Sequence, residues 1–262
     1  HGKNVAIGYT ALFALNAGTD AFNVAIGYEA GAVMTTGVQN TIVGSSAGDA
    51  LTTGANNVAI GYAALSGEDG HGRNVAIGVQ SLFALNAGTD AYNVAVGFNS
   101  GGAMTTGVQN TIMGGLAGDA LTTGAENVAI GYLALSTEDA HGRNVAVGNN
   151  ALRDLNVGAN GLNVAIGYDA GLAMTTGTNN TIIGALAGDA LTTGSYNVAI
   201  GRNALSAEDT HGTNVAVGYD TLALQNAGAD AYNTAVGYAA GVNVSTGVQN
   251  TVVGGLAGDA LT

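Results

Sequence analysis

Asn4-Val5-Ala6-Ile7-Gly8-Tyr9 returns at Asn23-Val24-Ala25-Ile26-Gly27-Tyr28, and the echo runs on through the chain. The unit Asn-Val-Ala-Ile-Gly, with conservative variants, starts at Asn4, Asn23, Asn40, Asn57, Asn74, Asn93, Asn110, Asn127, Asn144, Asn163, Asn180, Asn197, Asn214, Asn233 and Asn250. The spacings are 19, 17, 17 and 17, and that set recurs, so four units make a superrepeat of 70 residues. Self-similarity at a fixed short period is the signature of stacked structural units, in which each repeat buries its apolar side only against its neighbours. The expectation is a single repetitive all-β domain over residues 1–262. Its superrepeats cover 4–73, 74–143, 144–213 and, in part, 214–262, with no capping unit.

Each repeat reads as one coil of a parallel β-solenoid, or β-roll. In the first coil Asn4 to Gly8 is a strand, Gly8 and Tyr9 begin a turn, Ala11-Leu12 forms a second strand-like side, and Asn16-Ala17-Gly18-Thr19-Asp20 returns the chain. β-Branched residues suit a pleated strand, and Gly, Asn, Asp and Thr suit turns. Helix is rejected because glycine interrupts every apolar run. About fifteen coils of 17–19 residues follow, paired through parallel strands.

Alternation along the strand separates two faces. The first and third positions after each Asn (Val5 and Ile7, Val24 and Ile26) are assigned to the solenoid interior. The second position points the other way: Ala6, Ala25, Ile42, Ala59, Ala76, Ala95, Ile112, Ala129, Ala146, Ala165, Ile182, Ala199, Ala216, Ala235 and Val252. None is charged, and a strand apolar on both faces is buried on both. This row is therefore read as a subunit interface between chains lying side by side, with Ile112→Asp expected to break association before it breaks the coil.

Composition narrows function. The 262 residues include 44 glycines and no proline, cysteine or tryptophan. Only five residues are basic and the net charge is −13. Nucleic-acid binding lacks the cations that phosphates require, and insertion into a membrane lacks a long apolar run. Without cysteine there are neither disulfides nor thiolate metal sites. No phosphate loop, nucleophile elbow or zinc motif is found, so the chain is read as non-enzymatic, with no cofactor.

Among polar residues the Asn that opens each coil is read as a structural ladder, its amide bonding up and down the stack, in preference to an array for sugar or ice. Glu-Asp-x-His-Gly recurs at Glu68-Asp69-His71, Glu138-Asp139-His141 and Glu208-Asp209-His211, and His1 stands at the equivalent histidine position. These are metal-ligand types, but the copies lie four coils apart and cannot share one ion within a chain. They are read as acidic, solvated turns, so no metal site is assigned. Asp49, Asp119, Asp189 and Asp259, and Asp20, Asp90 and Asp230 with Asn160 in their register, are read as turn-stabilising. Tyr9, Tyr28, Tyr62, Tyr132, Tyr168, Tyr219 and Tyr238 follow the strand glycine as lids over the coil edge.

Asn-Val-Ala-Ile-Gly-Tyr followed by Ala-Leu or Ala-Gly, Thr-Thr-Gly and a new Asn, with units such as Asn233 to Gly241, resembles the repetitive shafts of phage and prophage tail fibres. The pattern is also similar to the left-handed parallel β-roll of trimeric autotransporter adhesin heads. The resemblance implies a homotrimeric fibre outside the cell, on a virion or a bacterial surface, that holds a receptor-binding tip. A cell-surface glycan or receptor would be engaged through flanking domains. The alternatives are a repeat polysaccharide-binding module and a self-assembling surface filament. Both ends of the sequence fall within a coil, so a longer fibre is expected.

Overall fold

The computed structural model describes residues 2–138 and 140–262. His1 and Asp139, both placed above in the Glu-Asp-x-His-Gly motif, lie outside the described residues. Packing divides the chain into two compact units, one ending at Asn127 and one beginning at Val128. The first carries strands from Val5–Ile7 to Thr111–Met113, the second from Val128–Ile130 to Thr251–Val253, and every strand is three residues long. Within each unit neighbours pair in parallel, in chain order and without slip. Ala25 stands opposite Ile42 and Ala165 opposite Ile182. The chain is an all-β parallel solenoid of about fifteen coils, and no helix occurs among the described residues. None is therefore long and apolar enough to cross a membrane.

Each coil carries one strand where the sequence suggested two. The Ala11-Leu12 side is a succession of tight turns. Thr10 and Leu12 take the left-handed conformation, each with φ 51°. The N–H groups of Ala11, Phe13 and Leu15 donate back to the carbonyls of Gly8, Thr10 and Leu12, whereas those of Leu12, Ala14 and Asn16 donate to Ala30, Ala32 and Thr35 in the next coil. Residues alternate between closing their own turn and stitching to the neighbour. The left-handed leucine recurs at Leu82, Leu152 and Leu222, each with φ 49°. That conformation costs about 1–2 kcal/mol in an L-residue. Full burial of a leucine side chain returns about 1.5–3 kcal/mol, and Leu82, Leu152 and Leu222 are all fully buried. Burial therefore wins at these positions.

The faces of the strand are the reverse of the sequence expectation. Ala25, Ile42, Ala59, Ala76, Ala95, Ile112, Ala129, Ala146, Ala165, Ile182, Ala199, Ala216 and Ala235 are fully buried within one chain, and Val252 nearly so. Only Ala6, with a coil on one side of it, is exposed. This row is the core and is unavailable as a subunit interface. The first and third positions face outward. The reason is space. A coil this short closes tightly, so the strand contributes mainly alanine, and the opposite turns contribute the volume through Leu12, Met34, Leu51, Leu82, Met104 and Leu121. A methyl built on Gly31 would lie 3.1 Å from Ile42 Cδ1 and 3.2 Å from Leu12 Cδ2, which locates these side chains in one cluster.

The glycine that ends each strand sets how closely coils approach. Gly97 has φ 141°, and a Cβ there would lie 2.4 Å from the carbonyl oxygen of Gly114 in the next coil. The obstacle is backbone and cannot swing aside.

Gly97→Ala should cost about 3 kcal/mol. Gly158→Ala, where an added Cβ meets nothing within 4 Å, should be neutral or slightly stabilising. Ile112→Asp should unfold its coil, because it buries an unpaired charge. Thermal and urea melts of the three variants check all of this; equal melting of the two glycine variants would refute the close-approach argument.

Candidate functional site

The coil-opening asparagines form a hydrogen-bonded column inside each unit. Within each unit, each Asn after the first donates its backbone N–H to the side-chain Oδ1 of the preceding coil's Asn. In the first unit this runs from Asn23 on Asn4 to Asn127 on Asn110 at 2.8–3.2 Å. In the second it runs from Asn163 on Asn144 to Asn250 on Asn233 over the same range. The Nδ2 group commonly donates to a turn carbonyl, as Asn40 does to Gly54 at 2.8 Å and Asn110 to Gly124 at 2.9 Å, whereas that of Asn214 is buried without a partner. Asn23 to Asn233 in this column are buried, so no sugar or ice surface reaches them. The loop acids also bond coil to coil: Asp90 accepts from the N–H of Gly72 at 3.1 Å and Asp230 from that of Gly212 at 2.9 Å. Asn160 serves Gly142 in the same way at 3.4 Å.

The outer face of the sheet was not recognised from sequence. Its two columns hold only Val or Thr at the first position and only Ile, Val or Met at the third, in every coil. Ile26, Met113 and Ile166 are 36%, 41% and 39% exposed. No charged side chain interrupts either column. The signal was available, since the absence of charge is as complete here as in the alanine row.

Beside these columns run the aromatics. Tyr9 stacks on Tyr28 with centroids 5.4 Å apart, and Tyr219 on Tyr238 at 5.5 Å. The row is broken by Ser45, Val79, Gly115, Asn149, Ala185, Arg202 and Gly255. Arg202 fills one of these breaks, 5.6 Å over the Tyr219 ring, and donates to its hydroxyl.

The Glu-Asp-x-His turns are not simply solvated. Glu68, Glu138 and Glu208 are fully buried. Glu68 Oε1 accepts from the N–H of His71 at 3.0 Å and its Oε2 from that of Ala87 at 3.4 Å. Glu138 does the same with His141 and Val157. Glu208 Oε1 accepts from His211 at 3.2 Å. Burial pushes the Glu208 carboxyl above its usual value, against the His211 amide and imidazole, which favour the ion. Burial also raises Asp49, Asp119 and Asp189, with local backbone amides opposing. Each of these three Asp carboxylates keeps one buried oxygen without a partner.

Asn110→Ala should lower stability by about 1–3 kcal/mol for each buried group left unpaired, chiefly the Asn127 N–H and the Gly124 carbonyl; an unchanged melt would remove the column from the account of stability. The raised carboxyls set a pH response. A carboxyl with a higher pKa in the folded chain binds protons more tightly when folded. Its contribution is therefore lost as pH rises through the folded value and regained on acidification. The melting temperature should rise as the pH is lowered from neutral toward about 4, the ordinary carboxylate value. The triple variant D49N/D119N/D189N should flatten that slope, and a melting temperature that falls over this range would contradict the assignment.

Comparison with known proteins finds no matching family model, no matching curated protein and no matching solved structure, so the argument for function rests on the residues themselves.

Proposed function

We propose that the chain is a structural shaft segment of an extracellular attachment fibre, on a virion or a bacterial surface, and that it works as a homotrimer. The observation that carries this is the uncharged Val/Thr and Ile/Val/Met double column on the outer face of the sheet. A continuous exposed apolar stripe marks an association surface. The chain's net charge of −13 makes its acidic turns repel between copies, so the uncharged face is where copies can meet. The role proposed for the alanine row thus passes to the opposite face. A receptor-binding tip or a glycan-binding domain would be carried elsewhere on the fibre. The repeat resemblance to tail-fibre shafts and adhesin heads supports the reading.

A second reading, direct polysaccharide binding, draws on the stacked Tyr9–Tyr28 and Tyr219–Tyr238 pairs, since exposed aromatic rings suit sugar faces. The breaks in the row disfavour it.

Light scattering at micromolar concentration should give three chain masses for the native sequence and one for the double variant Ile26→Asp/Ile166→Asp, with unchanged circular dichroism. A native mass of one or two chains would overturn the trimer. Binding on a glycan array that Tyr28→Ala abolishes would move the second reading to first place.

A further inference from the structure

We propose that the Glu68-Asp69-His71 and Glu208-Asp209-His211 turns each bind a divalent cation of the zinc class through mixed carboxylate and imidazole ligands. In each turn one ligand atom from Glu, Asp and His lies within 4.8 Å of the other two. The glutamates are the unusual members. Glu68 and Glu208 have fully buried side chains, and among the described residues no lysine or arginine lies within ion-pair distance of either. A carboxylate withdrawn from water needs compensating positive charge or hydrogen bonds. Glu208 lacks even the full set of bonds: its Oε2 is shut off from solvent without a partner.

The imidazoles sit at a distance that a direct bond does not explain. His71 Nδ1 is 3.5 Å from Glu68 Oε1, and His211 Nδ1 is 3.8 Å from Glu208 Oε1. Both gaps exceed a hydrogen bond. They match two metal–ligand bonds of about 2.0–2.2 Å meeting at one ion. At His71 the Nδ1 atom is closed to solvent and without a partner, although the ring as a whole is partly exposed. At the second turn Thr210 stands between the other two ligands, its hydroxyl 3.1 Å from Asp209 Oδ1 and 2.8 Å from His211 Nδ1. Gly70 leaves that place open in the first turn. Asp69 and Asp209 face outward enough to complete a three-ligand set, with water in the remaining position. An imidazole among the ligands favours a borderline cation over calcium, which prefers oxygen alone.

The site would act on the coil rather than on a substrate. Glu68 ties the turn to the next coil through Ala87, so an ion there would fix the acidic turn against its neighbour.

The test is titration of the whole, chelator-treated chain with zinc chloride by calorimetry, with calcium chloride in parallel. Imidazole nitrogen shifts are followed by NMR. The expected result is zinc binding that shifts the Nδ1 resonances of His71 and His211 and raises the melting temperature. His71→Ala/His211→Ala should lower the zinc stoichiometry by two while the metal-free chain keeps its circular dichroism spectrum. These substitutions spare the buried glutamates, so that spectrum separates loss of a site from loss of the fold. The proposal is overturned if zinc does not bind, if stoichiometry is unchanged in the double variant, or if calcium binds equally well and indifferently to the histidines. This test is independent of oligomeric state.

Discussion

The approach of one backbone to the next at the strand glycine is the constraint on which the coil depends. Gly27, Gly44 and Gly97 place their α-carbons where a methyl would strike the following coil's carbonyl at 2.3–2.4 Å. Stacking this close keeps the parallel ladder and the asparagine column in one register, because both are fixed to the same five residues. The turn that follows can then bend sharply enough to bring its leucines over the strand. A bulkier residue at that corner would separate the coils and loosen the ladder, the column and the core together.

Given that corner, the rest follows from room. Three strand residues place one side chain inward, and the space fits alanine, or an isoleucine where the facing turn offers Gly31 and Gly48 beside Ile42. The larger volume arrives from Leu12, Leu82 and Leu152, which accept a left-handed backbone in exchange for burial. Backbone strain and hydrophobic burial are thus spent in the same residue, once per superrepeat at that position.

Much of the fold was legible in the sequence because it lies in the period. The recurrence of Asn-Val-Ala-Ile-Gly places every strand and fixes the parallel order. The inward face was not legible by size alone: valine and isoleucine are larger than alanine, and the usual inference puts the larger residue inside. Nothing local reports that a coil of 17–19 residues has a narrow lumen. Ala11-Leu12 misled for a related reason, since apolar residues without a proline read as extended, whereas a run of alternating left- and right-handed residues leaves no compositional mark. Glu68 read as a surface acid because its neighbours Asp69 and His71 are polar. Its burial comes from the coil above, 19 residues away at Ala87, beyond any local pattern.

The asparagine column has a direction. The side-chain oxygen belongs to the earlier coil and the N–H that uses it to the later one, as between Asn93 and Asn110. A chain made from its N-terminus therefore presents an acceptor before the donor that will claim it exists. Each finished coil is a template for the one still emerging, across a loop of only 17 or 19 residues, and short loops close quickly. Assembly of the solenoid can keep pace with synthesis, one coil at a time, without waiting for distant sequence.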